Sequence, residues 1–217
     1  MKRIRILFAA CALLLCGCTS GTAETITEMP PQYTAADLQK AGIETEYRGD
    51  YLYKVEGAFY SEPIRTEEDA LCAAASLAQL CGIADFQNEI RLDNSSDGGI
   101  LSNYNFRQYH EGIPVTGNAI SLIVRTETGE AVRYFCDYTR NITASAQPAL
   151  SAEDAQEAAK KTDGVKSAEE PELIYCNRKL AWRMSVSSTT DLCGLTIDAQ
   201  TGEILDRDVI ADYYGGA

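Results

Sequence analysis

The sequence contains a single histidine, His110, in 217 residues, and this limits the chemistry available. A catalytic zinc needs three protein ligands and an open position. His110-Glu111 opens a His-Glu-x-x-His pattern, but Pro114 stands where the second histidine should be. There is no Cys-x-x-Cys pair and no cysteine–histidine cluster, so a structural zinc site has no support. The serines fall in loops or caps, and a lone histidine without an orienting partner makes no nucleophile triad. Walker A and Gly-x-Gly-x-x-Gly patterns are missing, and Gly112, Pro114 and Gly117 read as turn chemistry, not as a phosphate cradle. No catalytic residue, metal or cofactor is expected, and the chain does not read as an enzyme.

Positive charge is also scarce. Nineteen Lys and Arg face 32 Asp and Glu, for a formal charge of −13. Such a surface repels nucleic acid and anionic headgroups, so a nucleic-acid partner is not expected. Solubility is the default reading of the acidity, with a basic partner or a cation as alternatives. Asp93 to Gly98 fits the first half of a calcium loop, but its twelfth position is Tyr104 rather than the closing glutamate. It reads as a plain exposed turn.

Long apolar runs are absent beyond the first residues. Lys2, Arg3 and Arg5 precede an uncharged apolar stretch from Ile6 to Leu15. That stretch is too short for a spanning helix, which needs about 20 residues, and it suits a secretory signal. Leu15-Cys16-Gly17-Cys18 resembles the bacterial lipobox, with Cys16 where Ala, Ser or Thr is more usual. The resemblance implies cleavage before Cys18 and a diacylglycerol on its thiol. The protein would then sit at the extracytoplasmic face of a cell membrane, where two or more acyl chains hold stably and one does not. Residues 1–17 carry three basic residues and no acid, so their removal takes the net charge from −13 to −16.

Cys11 and Cys16 would leave with the signal, which leaves Cys72, Cys81, Cys136, Cys176 and Cys193 besides the lipidated Cys18. The number is odd, so at least one is free or pairs between chains. Their pairing stays open, since an exported location permits disulfides without proving them. Cys136 alternates onto an apolar strand face, so burial is expected.

Residues 18–50, rich in small and polar residues with Pro30-Pro31, read as a tether, with a short helical turn over Asp37 to Ala41. Tyr51 to Tyr60 reads as a strand ended by Pro63. The chain then repeats itself. Thr66-Glu67-Glu68-Asp69-Ala70 and Ser151-Ala152-Glu153-Asp154-Ala155 each open a helix with a capping hydroxyl and first-turn acids. Leu71, Ala74, Ala75, Ala78 and Cys81 give the first helix an apolar face, with Gly82 as its stop. Thr128-Gly129-Glu130 and Thr201-Gly202-Glu203 each centre a hairpin, with glycine where the turn needs positive φ. Ile120, Leu122 and Val124 alternate, as do Val132, Tyr134 and Cys136, and Trp182, Met184 and Val186 oppose Arg183 and Ser185. The pattern is α+β: two successive units, each one helix packed on an antiparallel β-meander.

Asn103 to Asn118 resembles the propeptide of thermolysin-like and fungalysin-like metalloproteases. Gln108, Gly112, Ile113, Pro114, Val115 and Gly117 match its Arg-x-x-Gln-x-x-x-Gly-Ile/Val-Pro-Val-x-Gly strand, with Asn105 in the place of the arginine. Asp198, Thr201 and Gly202 lie in a closing hairpin similar to that of the PepSY domain, which follows in those propeptides. The resemblance implies a cystatin-like and PepSY-like fold, a propeptide-like domain at 51–145, a PepSY-like domain at 146–210 and a short tail at 211–217. In the family these modules precede a zinc protease, help it fold and inhibit it. With Ala217 as the last residue, no protease domain is expected after them. The implied function is non-catalytic: a lipid-anchored module that binds a protease in trans and inhibits or chaperones it. The alternative is an envelope module that takes a peptide or partner at exposed sheet edges.

Overall fold

The computed structural model describes residue 26, residues 28–188 and residues 192–209. The expected signal segment, Cys18 and the tail at 211–217 lie outside the described residues. The architecture is α+β, with few helices and a large, mostly antiparallel sheet.

The described part opens with α1 (Ala35–Lys40), β1 (Glu44–Arg48) and β2 (Tyr51–Glu56). Helix α1 is held by a capping box between Thr34 and Asp37, and it buries Leu38. Folded structure therefore begins inside the segment 18–50 that composition marks as tether. The local signals there, one capping box and one buried leucine, are too few to stand out in a polar stretch.

Next come α2 (Glu67–Ala75), α3 (Ala78–Cys81) and α4 (Phe86–Glu89). The spacing of apolar residues predicts one helix from Thr66 to Cys81, and the structure divides it. The buried Ser76 hydroxyl donates back to the carbonyl of Ala73 (2.6 Å), a contact that competes with helix bonding. The N-terminal segment takes the carbonyls freed at the break. Gln32 donates to Ala75 O (2.9 Å) and the Tyr33 amide to Ser76 O (2.9 Å). Gly82, at φ +71°, ends α3 as expected.

Strands β3 (Ile90–Asp97), β4 (Leu101–His110), β5 (Ile113–Thr116), β6 (Ala119–Arg125) and β7 (Glu130–Asp137) follow. Residues 93–97, read from composition as an exposed turn, are the outer half of β3, and Gly98-Gly99 make the turn. Ile120, Leu122 and Val124 are buried, as are Tyr134 and Cys136. Val132 departs from the expected alternation. A bulge pairs Ile123 with Arg133 but Val124 with Ala131, so Ala131 faces the core and Val132 is the extra residue.

The last stretch is α5 (Ala152–Lys160), β8 (Val165–Ala168), β9 (Glu172–Cys176), β10 (Lys179–Ser188), β11 (Leu192–Asp198) and β12 (Ile204–Val209). Trp182, Met184 and Val186 are buried while Arg183 is exposed. Strand order runs β1-β2-β7-β6-β4-β5-β9-β10-β11-β12, with β3 beside β4 and β8 beside β10.

Two apolar cores sit on this sheet. The first gathers α2, α3 and α4 over β2, β4, β6 and β7, around Leu71, Leu77, Phe86, Leu122 and Tyr134. It thus has three short helices where the repeat predicts one. The second packs Ala155 and Ala159 of α5 onto Leu180, Trp182, Met184, Leu195 and Ile197. No helix among the described residues is long and apolar enough to cross a membrane.

Candidate functional site: the seam between the two cores

The segment that carries the propeptide-like motif becomes the joint of the molecule. His110 ends β4, and Glu111 and Gly112, at φ +49° and +80°, turn the chain straight back into β5. Two successive positive φ values give the tight hairpin that matches strand twist. Strand β5 leaves β4 and pairs in parallel with β9, Val115 beside Tyr175 and Thr116 beside Cys176. Thr116 also donates from its hydroxyl to Tyr175 O (3.2 Å). Val115 is 3% exposed, and it lies in the second core, although its strand follows directly from the first. Ile113 packs against the same core, and Pro114 pairs with Tyr109 in the hairpin.

Gln108 fastens the first core to this joint. Its side chain is 1% exposed. Its amide nitrogen donates to Thr139 O (2.8 Å), and its oxygen accepts from Thr139 N (2.9 Å) and Asn118 Nδ2 (2.6 Å). One side chain therefore ties β4 to the β5–β6 turn and to the connection leaving β7. Buried amides are stable only when satisfied in this way. Gly117, at φ +81°, makes the turn that brings Asn118 to it.

Other groups seal the same joint. The His110 ring meets the Tyr175 ring edge-on, with centroids 5.3 Å apart. The Tyr175 hydroxyl donates to Ala144 O (3.1 Å). The Tyr138 hydroxyl donates to Glu89 (2.5 Å), and burial first, then this bond to a carboxylate, pushes its pKa well up.

Asp198, Thr201 and Gly202 lie elsewhere, in the turn between β11 and β12. The buried Asp198 accepts from Gln200 N (2.8 Å) and Thr201 N (3.1 Å). Gly202 sits at φ +76° beside Leu150. These three residues shape a hairpin, and the structure does not bring them to the β5 seam.

On the face of the sheet away from the helices, the seam opens into a groove of about 530 Å³. Asp93, Asn94, Asn105 and Arg107 line one side, Pro114, Thr116 and Asn118 the floor, and Glu172, Ile174 and Arg183 the other side. Its first wall is a ladder of side chains. Asn103 donates to Asn105 (3.1 Å), Asn105 to Asn94 (2.8 Å) and Asn94 to Asp93 (3.2 Å). Arg107 Nη2 reaches both Asp93 oxygens, at 2.8 and 3.1 Å. Glu172 and Arg183 stand opposite each other in the β9–β10 register. The groove offers amide and guanidinium donors beside carboxylate acceptors, with Phe106, Val115, Ala119 and Ile120 adding apolar surface between them. Motif matching alone misses these walls. Their signal on β4 is the polar pair Asn105 and Arg107, which alternates with the buried Tyr104, Phe106 and Gln108.

The PepSY family, described as "Peptidase propeptide and YPEB domain", matches residues 149–208. Among solved structures, the Bacillus megaterium YpeB C-terminal domain is similar at 16% identity with a TM-score of 0.39, covering 77% of this chain and 75% of that one. No curated protein matches this chain. The segment matched by the PepSY family model runs from the approach to α5 into β12 and supplies the far wall of the groove.

Proposed function

We propose that this chain is a non-catalytic binding module, tethered by lipid on Cys18 at the extracytoplasmic face of a membrane. It engages a protease or its precursor in trans and inhibits or chaperones it. The observation that carries the reading is the PepSY domain at 149–208, joined through β9 to the strand that bears the propeptide-like motif. On this reading residues 51–145 are the propeptide-like partner domain. The groove over the seam is the contact surface, because it is where the two domains offer side chains side by side.

The rival surface is a sheet edge. Strand β1, at one end of the sheet, is exposed at all five positions and could accept an added strand. It carries Glu44, Glu46 and Arg48 and a bulge at Glu46–Tyr47. Strand β12, at the other end, carries Asp206, Arg207 and Asp208. Charges and bulges on edge strands oppose strand addition, which favours the groove.

The test is a titration. Residues 19–217, which keep the whole described fold, are added to the secreted and envelope proteases of the source cells, with casein hydrolysis followed with and without a zinc chelator. Saturable loss of the chelator-sensitive activity is expected, weakened by Arg183→Glu. Unchanged hydrolysis at large excess would contradict a role as an inhibitor. For the anchor, a labelled fatty acid should enter the wild-type chain and not Cys18→Ser.

A further inference from the structure

Left-handed backbone outside glycine is rare in this chain. Among the described residues only Glu111, Asn141, Asn177 and Arg178 have it, at φ +49°, +57°, +50° and +66°. Glu111 belongs to the seam hairpin. The other three line one pocket of about 610 Å³, where the β5–β6 turn, the connection leaving β7 and the β9–β10 turn meet. That pocket is distinct from the groove over the seam, with which it shares only Thr116.

Asn177 and Arg178 are the two-residue turn between β9 and β10, closed by the pairing of Cys176 with Lys179. Such a turn needs positive φ at both central positions, a geometry that favours Asn at the first and Gly at the second. Arg178 therefore stands where glycine is preferred, at a cost in backbone strain. Among the described residues its guanidinium makes no hydrogen bond or ion pair to offset that cost. Strain kept without a structural return is a mark of function.

The second cation is Arg140, and it is fixed in place. Its Nη1 donates to Tyr138 O (3.1 Å), its Nη2 to the Cys81 carbonyl, and its guanidinium stacks on Tyr51 at 3.9 Å from the centroid. Both acceptors are neutral, so the charge is held but not cancelled. The one carboxylate on the pocket wall, Asp137, lies 3.6 Å from Arg48. Two guanidiniums thus face one carboxylate that already has a partner, in a chain of formal charge −13. Asn141, Asn177, Thr116 and Thr139 add amides and hydroxyls. The Asn177 amide nitrogen has the Cys176 sulfur, at 3.8 Å, as a weak acceptor, which an oxygen would replace with gain.

We propose that this pocket binds an oxyanion, a carboxylate or a phosphate carried on a small polar molecule. Guanidinium forks match both groups. Arg140 needs no further ordering, which favours affinity, and the volume is in the range of small-molecule sites. The bound anion bridges the turn that follows β5 and the turn that follows β9, one from each side of the seam. The proposal is independent of the protease reading, because it uses a different surface.

The test titrates residues 19–217 with citrate and, separately, with inorganic phosphate at constant ionic strength, and follows backbone amide shifts by NMR. Saturable shifts are expected at Thr116–Gly117, Thr139–Asn141 and Asn177–Arg178, and the anion that saturates at the lower concentration identifies the group preferred. Arg178→Gly removes the guanidinium and relaxes the turn. It should weaken binding about tenfold or more, with a Tm no lower than that of the wild type. Arg125→Gln, at the far end of β6, should leave the affinity unchanged. No saturable shift with either anion, or equal losses in the two variants, would overturn the proposal. A lower Tm in Arg178→Gly would show that the arginine serves the fold, and would overturn it as well.

Discussion

The two Thr-Gly-Glu hairpins have the same sequence and turn, but different surroundings. Gly129 (φ +74°) lies under the chain that leads into α2, and a Cβ there would meet Ile64 N and O at 2.9 Å. The Ile64 amide donates to Gly129 O (2.8 Å), so backbone rests on backbone. Gly202 (φ +76°) lies under the chain that leads into α5, where the nearest atom is the end of the Leu150 side chain at 3.2 Å. In both units the hairpin braces the residues just before the capping box. The second hairpin is also held by backbone bonds, from Ala149 N and Leu150 N to Ala199 O (both 3.0 Å), but these fall away from its glycine, so an identical motif need not be equally sensitive to change there.

The largest expected effect follows from that contrast. Gly129→Ala combines left-handed strain with a backbone clash and should cost about 3–5 kcal/mol. Gly202→Ala bears the strain alone and should cost about 1–2 kcal/mol. Urea unfolding measures both, and equal losses would mean that the two glycines are equally confined. Next come the two buried polar side chains. Gln108→Leu strands the Thr139 backbone and Asn118, for about 2 kcal/mol, or roughly 4–8 °C in Tm. Asp198→Ala removes the acceptor for two turn amides and should cost about 1 kcal/mol, while Asp198→Asn keeps that acceptor and should cost less.

The smallest effect separates the helix caps. Burial pushes the Asp69 carboxyl up, but the Arg65 and Thr66 amides, at 2.9 and 2.8 Å, and the Thr66 hydroxyl outweigh it, so its pKa falls below the usual value. A depressed carboxylate stabilises the fold above its unfolded pKa, about 4, and loses that contribution as pH falls through the folded value. The lead of wild type over Asp69→Asn should therefore hold at pH 7 and shrink below about pH 4. Asp154 holds only the Ser151 amide, at 3.4 Å, and the Ser151 hydroxyl, at 3.0 Å. Asp154→Asn should consequently cost less than Asp69→Asn in thermal melts at pH 7.

Much of this is local and was legible in the sequence. The capping boxes at Thr66 and Ser151, the hairpin glycines and the alternation along β6 and β10 each depend on residues a few positions apart. What was not legible depends on distant partners. The helix break at Ser76 is completed by Gln32 and Tyr33, the bulge at Val132 by β6, and the strand character of residues 93–97 by β4. The candidate site follows the same rule. The motif marked Gln108 to Gly117, but the parallel pairing of β5 with β9 joins residues some 60 positions apart. Only that pairing brings Arg107 and Arg183 to one groove.

Strand β5, paired with both β4 and β9, joins the two cores into one body, so that the groove between them is a fixed surface. Trp182, the only tryptophan, is buried in the second core and reports on it alone. The measurement is urea unfolding of residues 19–217, with Trp182 fluorescence compared with hydrogen exchange of β6 and β7 in the first core. Coincident midpoints are predicted, and Val115→Ala should lower both. Separate midpoints, or a Val115→Ala effect confined to Trp182, would show that the cores unfold independently and would contradict the account.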